Sequence, residues 1–448
     1  MKLTKIITLF LITACAVDNE EPYDLIISNV TLIDGTGKEA VKNTSIYIRG
    51  NQIAAINSEK VKQTANVIDG TDRYLVPGFF DCHVHTSTFK EDFPRLLHYG
   101  VTTIFVPGGS TCSDEYYAQM RIMGAQDSVP SPRVFHTSQH FTMEGRHPVK
   151  TYASSNWVEG ETVFFLRDTA QIAALVRKVS QSPIKGIKLT LEDGPAPPFV
   201  ERMPQEFVNK VADEARKAGT EVFAHVSDNI ELAMALEAGI QNIIHYTGVD
   251  IDWEKDQELI ASINQGELSW VTTLMIDKGF LYALHPEWME IPEIAEIYDS
   301  EEIEKLKNPV NIRKAKEFLD FLINDYGIKD PTLENIISPQ VSDIKRLYES
   351  EVNMVLGTDT GNDFIFPGYS LHEEMQLLEL GGMDPLDIIK MGTLNASRML
   401  KVSDRLGSIE EGKIADMVLL DKNPLESIQN TLSINTVIKN GKIQKRLN

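Results

Sequence analysis

Basic side chains are scarce in this sequence. Lys and Arg number 43 against 65 Asp and Glu, a formal net charge of −22. A surface of that sign repels phosphate backbones and anionic lipid, which excludes a nucleic-acid partner. Long apolar runs are missing too, and none would span a bilayer as a helix. Cysteine is rarer still, with Cys15, Cys82 and Cys112 the only three. The hydrophobic fraction of 42% is ordinary for a globular protein, and 448 residues suit a large barrel with a smaller partner domain.

Residues 1–14 read as an export signal. Lys2 and Lys5 supply positive charge and Ile6 to Ile12 a short apolar stretch. Ile12-Thr13-Ala14-Cys15 then makes a small-residue cleavage box before polar Asp18, Asn19, Glu20 and Glu21. This is similar to a bacterial lipoprotein signal, cleaved before Cys15 with diacylglycerol on its sulfur. The expectation is an exported protein, held by residues 15–23 as a tether on the periplasmic or cell-surface side of a bacterial envelope.

Residues 24–76 show short alternating strands with Gly and Asn turns, among them Val30-Thr31-Leu32-Ile33 before Asp34-Gly35-Thr36-Gly37. Residues 401–448 have the same texture, as in Asp416-Met417-Val418-Leu419-Leu420 and the turn Asn440-Gly441. Neither set makes a comfortable core alone, so the two ends are expected to pair into one small β-sandwich domain. Residues 77–400 alternate short apolar strands with amphipathic helices. Strands are expected to begin near Phe79, Val101, Arg133, Gly186, Glu221, Asn242, Ser269 and Asn353. Helices Gln205 to Ala218 and Asn229 to Ala238 each stop at a glycine, Gly219 and Gly239. Eight strands with helices between them make an α/β fold, a (β/α)₈ TIM-like barrel. A charged helical insertion from about Asp277 to Asp343 lies between strands seven and eight, where it can shape a pocket at the C-terminal face.

His83-Val84-His85 places two imidazoles two residues apart, on one side of a strand. Cys82 is then expected to face the other way, and Cys82 and Cys112 are expected as buried, unpaired thiols, although an exported protein permits their pairing. His225, His245 and Asp359 each end an expected strand, at the end of a barrel where active sites assemble. Any one histidine alone reads as structural; the set reads as metal ligation. Lys188 has the parity of Gly186, Thr190 and Glu192, facing the interior, whereas Ile187, Leu189 and Leu191 face the helices. A bare ammonium there is costly. Carbamylation by CO₂ would make Lys188 a carboxylate able to bridge two cations.

Together these motifs resemble the amidohydrolase superfamily, and within it the imidazolonepropionase-related and Xaa-Pro dipeptidase-like branch. The resemblance runs from Asp24 onward and includes Leu32-Ile33-Asp34-Gly35-Thr36-Gly37, Val76-Pro77-Gly78-Phe79-Phe80-Asp81 and Leu406-Gly407-Ser408-Ile409-Glu410-Glu411-Gly412-Lys413-Ile414-Ala415-Asp416. It implies two divalent metal ions, with zinc the expected metal. His83, His85 and Asp359 would hold the more buried ion and His225 and His245 the more exposed one, with carbamylated Lys188 and a hydroxide as bridges. Asp359 would also take a proton and pass it to the leaving amine, and His147 would bond the carbonyl oxygen. Arg146 stands where the family usually has the second glycine of a Gly-Gly-His run. Tyr246, beside His245, is a weaker substrate-binding candidate.

The implied reaction is hydrolysis of an amide bond of the dipeptide or N-acyl amino acid type. The same site would accept cyclic amides, lactones or phosphotriesters. Deamination is disfavoured, because His225-Val226-Ser227-Asp228 lacks the glutamate that superfamily deaminases carry shortly after the strand-five histidine. A non-catalytic surface binding lipoprotein is the alternative of another class, and it would require ligands to be missing. A homo-oligomer is compatible with the sequence.

Overall fold

The computed structural model describes residues 22–57, 66–152, 155–194, 197, 199–325 and 327–447. The expected signal segment and Cys15 lie outside them. Eight parallel strands begin where the apolar runs begin: Phe79–Asp81, Val101–Val106, Arg133–His136, Gly186–Thr190, Glu221–His225, Asn242–Ile244, Ser269–Val271 and Asn353–Val355, numbered one to eight here. Strands one to three form one arc and strands four to eight another.

Backbone hydrogen bonds join the arcs at both seams. Cys82 N donates to Leu356 O at 3.0 Å and Asp359 N to His83 O at 2.9 Å, linking strand one to strand eight. Lys185 N donates to His136 O and Ser138 N to Gly186 O, both at 2.8 Å, linking strand three to strand four. Strand three breaks at residues 137–139, and its continuation, His140–Thr142, pairs with strand four. A short parallel strand, Val163–Phe165, adds on outside it; no alternation pattern marks so short an element.

Between the strands the helices follow their stop signals. Gln205–Ala218 ends at Gly219 in the left-handed conformation, φ 66°, which glycine adopts without a Cβ penalty. Asn229–Glu237 is capped by the Asp228 side chain accepting from Glu231 N at 2.9 Å. The insertion comprises Met275–Leu281, three short turns of helix, Pro309–Asp325 and Leu333–Glu349.

Both chain ends build the second, β-rich domain. Its eight strands are linked by hydrogen bonds, seven along one path and Asn66–Asp69 branching from it. The sheet forks at Leu25–Leu32, whose first half pairs with Asn66–Asp69 and whose second half pairs with Tyr74–Pro77. The C-terminal strand Met417–Leu420 pairs with Tyr74–Pro77, which fastens the two ends together. Leu25, Ile27, Ile46, Ile48, Met417 and Leu419 share its core.

Alternation breaks at one place that matters to the site. Strand one ends at Asp81 and the chain bends at Cys82. Cys82 therefore does not face away from the barrel lumen as strict alternation required: it packs with Phe80, Phe105, Phe223, Val271 and Val355 beneath the site. His83 and His85 lie just beyond the strand, tied down by an isolated parallel bridge between Val84 and Thr360. Cys82 and Cys112 are both buried and unpaired.

Candidate metal centre

At the C-terminal end of the ring, His83 Nε2 lies 2.9 Å from His85 Nε2, and Asp359 Oδ1 lies 3.3 Å and 3.2 Å from the two. Three lone-pair-bearing atoms thus point at one another. His85 Nδ1 lies 2.7 Å from Gly108 O and carries that ring's proton, which leaves its Nε2 lone pair aimed at His83; zinc bound at about 2.0–2.2 Å by such atoms would hold them roughly this far apart. Gly361 makes the approach possible, since a Cβ there would stand 2.3 Å from His85 O. Thr358 N and Oγ1 donate to the buried Asp81 carboxylate at 3.0 Å and 2.7 Å, and His83 N donates to it at 3.2 Å, so one side chain clamps both ligand-bearing segments.

His245 belongs to the same group: a nitrogen of its ring lies within 4.8 Å of ligand atoms of His83 and Asp359. Thr273 Oγ1 holds its Nδ1 at 2.9 Å and leaves Nε2 without a hydrogen-bond partner. His225, 4.1 Å away ring to ring, faces a second group with His147 and Glu192. Glu192 Oε1 is 3.0 Å from His225 Nε2 and touches His147 Nε2, whose Nδ1 lies 2.7 Å from Thr151 Oγ1. None of these carboxylate contacts is aligned as a hydrogen bond, and Asp359 Oδ1 and both Glu192 oxygens lack a hydrogen-bond partner among the described residues.

Lys188 is wholly buried and its Nζ has no hydrogen-bond partner. Burial drives its pKa down to about 8, against the opposing pull of Asp359 and Glu192. A substantial neutral-amine fraction near neutral pH is what reaction with CO₂ requires. Burial likewise lowers His83 and His245 well below the ordinary histidine range and His225 to about 4, which leaves their lone pairs free for a metal. Burial would raise Asp359 and Glu192, but the neighbouring imidazoles outweigh it and keep both ionised. Buried, ionised and without aligned donors, this set fits divalent cations.

His225, His245, Asp359 and Glu192 open onto a chamber of about 720 Å³. Its far walls come from the insertion, which therefore roofs the site as expected of a loop at the barrel's C-terminal face. Tyr246 does not face this chamber. His245 sits at φ 73°, which turns the chain, and the Tyr246 ring packs on Trp270 at 5.3 Å while its hydroxyl donates to Asp343 at 3.0 Å.

Three neighbours were not singled out from the sequence. Glu192 was visible by parity with Lys188 alone. His140 is buried, with Nδ1 held 2.9 Å from Thr190 Oγ1 and Nε2 unpartnered, and it is close enough to Gly108 to forbid a Cβ there. Tyr152 packs edge-on against His147 at 5.3 Å and lines the chamber.

Residues 74–444 match the family model described as the amidohydrolase family. The sequence is 24% identical over 461 residues to the ochratoxinase of Aspergillus niger, covering 92% of this chain and 85% of that protein. It is 23% identical over 410 residues to an adenine deaminase of Desulforamulus reducens, covering 90% of this chain but only 55% of that longer protein. The fold superposes on a crystal structure of a Xaa-Pro dipeptidase with bound methionine in the active site, with TM-score 0.69, 21% identity and coverage of 94% and 99% of the two chains.

Proposed function

The chain belongs to the amidohydrolase family, and from that premise we propose that it is a binuclear metal-dependent hydrolase of amide bonds. The observation that carries this is Lys188: an unpartnered, wholly buried amine whose charge acts on His83, His140, His225, His245, Asp359 and Glu192. As a carbamate, Lys188 would give the cluster the bridging anion it needs. His83, His85, His245, His225 and Asp359 would complete the ligand set, with zinc the metal suited to these N and O donors. Bound metal would polarise the scissile carbonyl and acidify a water.

The chain's own residues do the rest. Asp359, ionised at rest, would take the proton given up by the attacking water on its carboxylate and deliver it to the departing nitrogen. His147, held at Nδ1 by Thr151 and in contact with Glu192 at Nε2, is the group assigned to the carbonyl oxygen, which would take the place of that carboxylate contact. The insertion helices exclude bulk water and bind the rest of the substrate. Dipeptides and N-acyl amino acids are the first amides to test, beside cyclic amides, lactones and phosphotriesters. The test is metal content by mass spectrometry together with hydrolysis of these panels by the metal-loaded protein. Metal-free protein with full activity would end the proposal, as would metal-loaded protein inert towards every panel.

A second reading has one observation in its favour. The glutamate missing after His225 is replaced in space by Glu192, whose carboxylate reaches His225 from strand four. Aminopurines therefore belong in the same screen, with ammonia release as the readout.

A further inference from the structure

The chamber is aromatic along one side and acidic around it, and the two features together define what it accepts. Phe280 and Phe318 stack at 3.9 Å, Phe318 meets Phe321 at 6.1 Å, and Phe321 meets Phe199 at 6.0 Å. Phe280, Phe318 and Phe321 come from the insertion and Phe199 from the loop after strand four. Phe199 is 51% exposed and lines the cavity. An apolar wall continuous with a reactive centre is where a substrate's non-reacting part gains its binding energy.

The charges point the same way. Glu192 and Asp359 aside, six carboxylates line the chamber: Asp193, Asp228, Asp250, Asp277, Asp343 and Asp363. Two cations line it, Arg202 and Lys314. Arg202 is already engaged by Asp193 at 2.7 Å, Glu231 at 2.9 Å and Asp228. Lys314 sits exposed. Among the described residues an incoming carboxylate thus meets no free guanidinium, one exposed ammonium, Lys314, and an excess of like charge. Asp277 is more specific. It is buried, Gln340 Nε2 donates to its Oδ2 at 2.6 Å, and its Oδ1 has no partner. A buried acceptor beside a vacant apolar space calls for a donor.

Resting on the amide-hydrolase reading above, we propose that this site selects amides bearing a bulky aromatic or apolar group and no negative charge, with a neutral or basic N–H group favoured opposite Asp277. Free dipeptides and N-acyl amino acids, which carry a carboxylate, then become the poorer substrates of their own series.

The test is a matched set sharing one acyl group and one scissile bond: the N-acyl derivatives of phenylalanine amide, free phenylalanine and glycine amide. The phenylalanine amide should exceed both others in kcat/KM by about 10-fold or more, the scale on which pocket contacts discriminate. The deficit of the free acid should shrink at high ionic strength, as the surrounding charges are screened. Phe280→Leu should erode the preference for phenylalanine over glycine, and Asp250→Asn with Asp363→Asn should narrow the gap between amide and acid. Equal or faster cleavage of the acid, or of the glycine amide, overturns the proposal. Calorimetric binding of phenylacetohydroxamate, its para-carboxylate and acetohydroxamate to the metal-loaded protein separates this from a failure of the reaction class. With no turnover of any amide, tightest binding of the neutral aryl compound still supports the proposal, and any other order defeats it.

Discussion

Glu192 Oε1 lies 3.0 Å from Nε2 of His225, so a carboxylate from the end of strand four reaches a histidine that ends strand five. The same oxygen touches His147, and Glu192 is only 2% exposed. Groups that orient metal ligands commonly contribute 10–100-fold to metal affinity or activity. Glu192→Gln keeps the shape and removes the charge. Metal affinity by chelator competition should fall by about that factor, with kcat falling alongside. Unchanged affinity and turnover would reduce Glu192 to a spectator.

The positions of the strands could be read from the sequence because buried parallel strands are short β-rich runs and their helices stop at glycines. All eight starts and the end of Gln205–Ala218 lie where that pattern puts them. What escaped reading depended on backbone geometry at single residues. The bend at Cys82 carries His83 and His85 past the strand, and the positive φ of His245 turns Tyr246 into the core. Glu192 had the right parity, but only the folded ring brings His147 and His225 to it.

A different histidine reports on stability rather than chemistry. His136 Nδ1 donates to Thr137 O at 2.7 Å, its Nε2 accepts from Arg121, and its ring stacks on Tyr117 at 3.9 Å. Burial, with help from the Arg121 charge, lowers its pKa from 6.5 to about 4. Between those values the unfolded chain binds a proton that the folded chain refuses. This contribution is therefore complete above pH 6.5 and lost as pH falls towards 4, up to about 3 kcal/mol in order of magnitude. In metal-free protein, His136→Asn should make the fall of unfolding free energy over that window shallower by up to one proton. A slope identical to that of the unsubstituted protein would show His136 already protonated in the fold.

We propose that residues 1–23 direct export and lipidation. Cys15→Ser should leave the precursor uncleaved or release the protein from membranes, since the acyl acceptor is gone. Fractionation of a Gram-negative host expressing both forms checks this, and identical behaviour would refute the anchor.

Asp359 and Lys188 share one cluster but carry separable tasks. Asp359 Oδ1 approaches His83 and His85 and the residue also lines the chamber, so its carboxylate can both hold metal and move a proton. Asp359→Asn keeps a weak oxygen ligand and loses the base. At least one metal should remain, while kcat drops by a factor on the order of 10² or more, the usual worth of positioned proton transfer. Lys188→Ala would remove the proposed bridging anion instead, so metal content should fall together with activity, and a short carboxylic acid added to the buffer should restore part of both by occupying the vacated space. Measuring metal and kcat on the same preparations distinguishes the two. An Asp359→Asn protein with its metals and near-normal turnover would leave Asp359 a structural ligand, and a Lys188→Ala protein with full metal would mean that the amine bridges nothing.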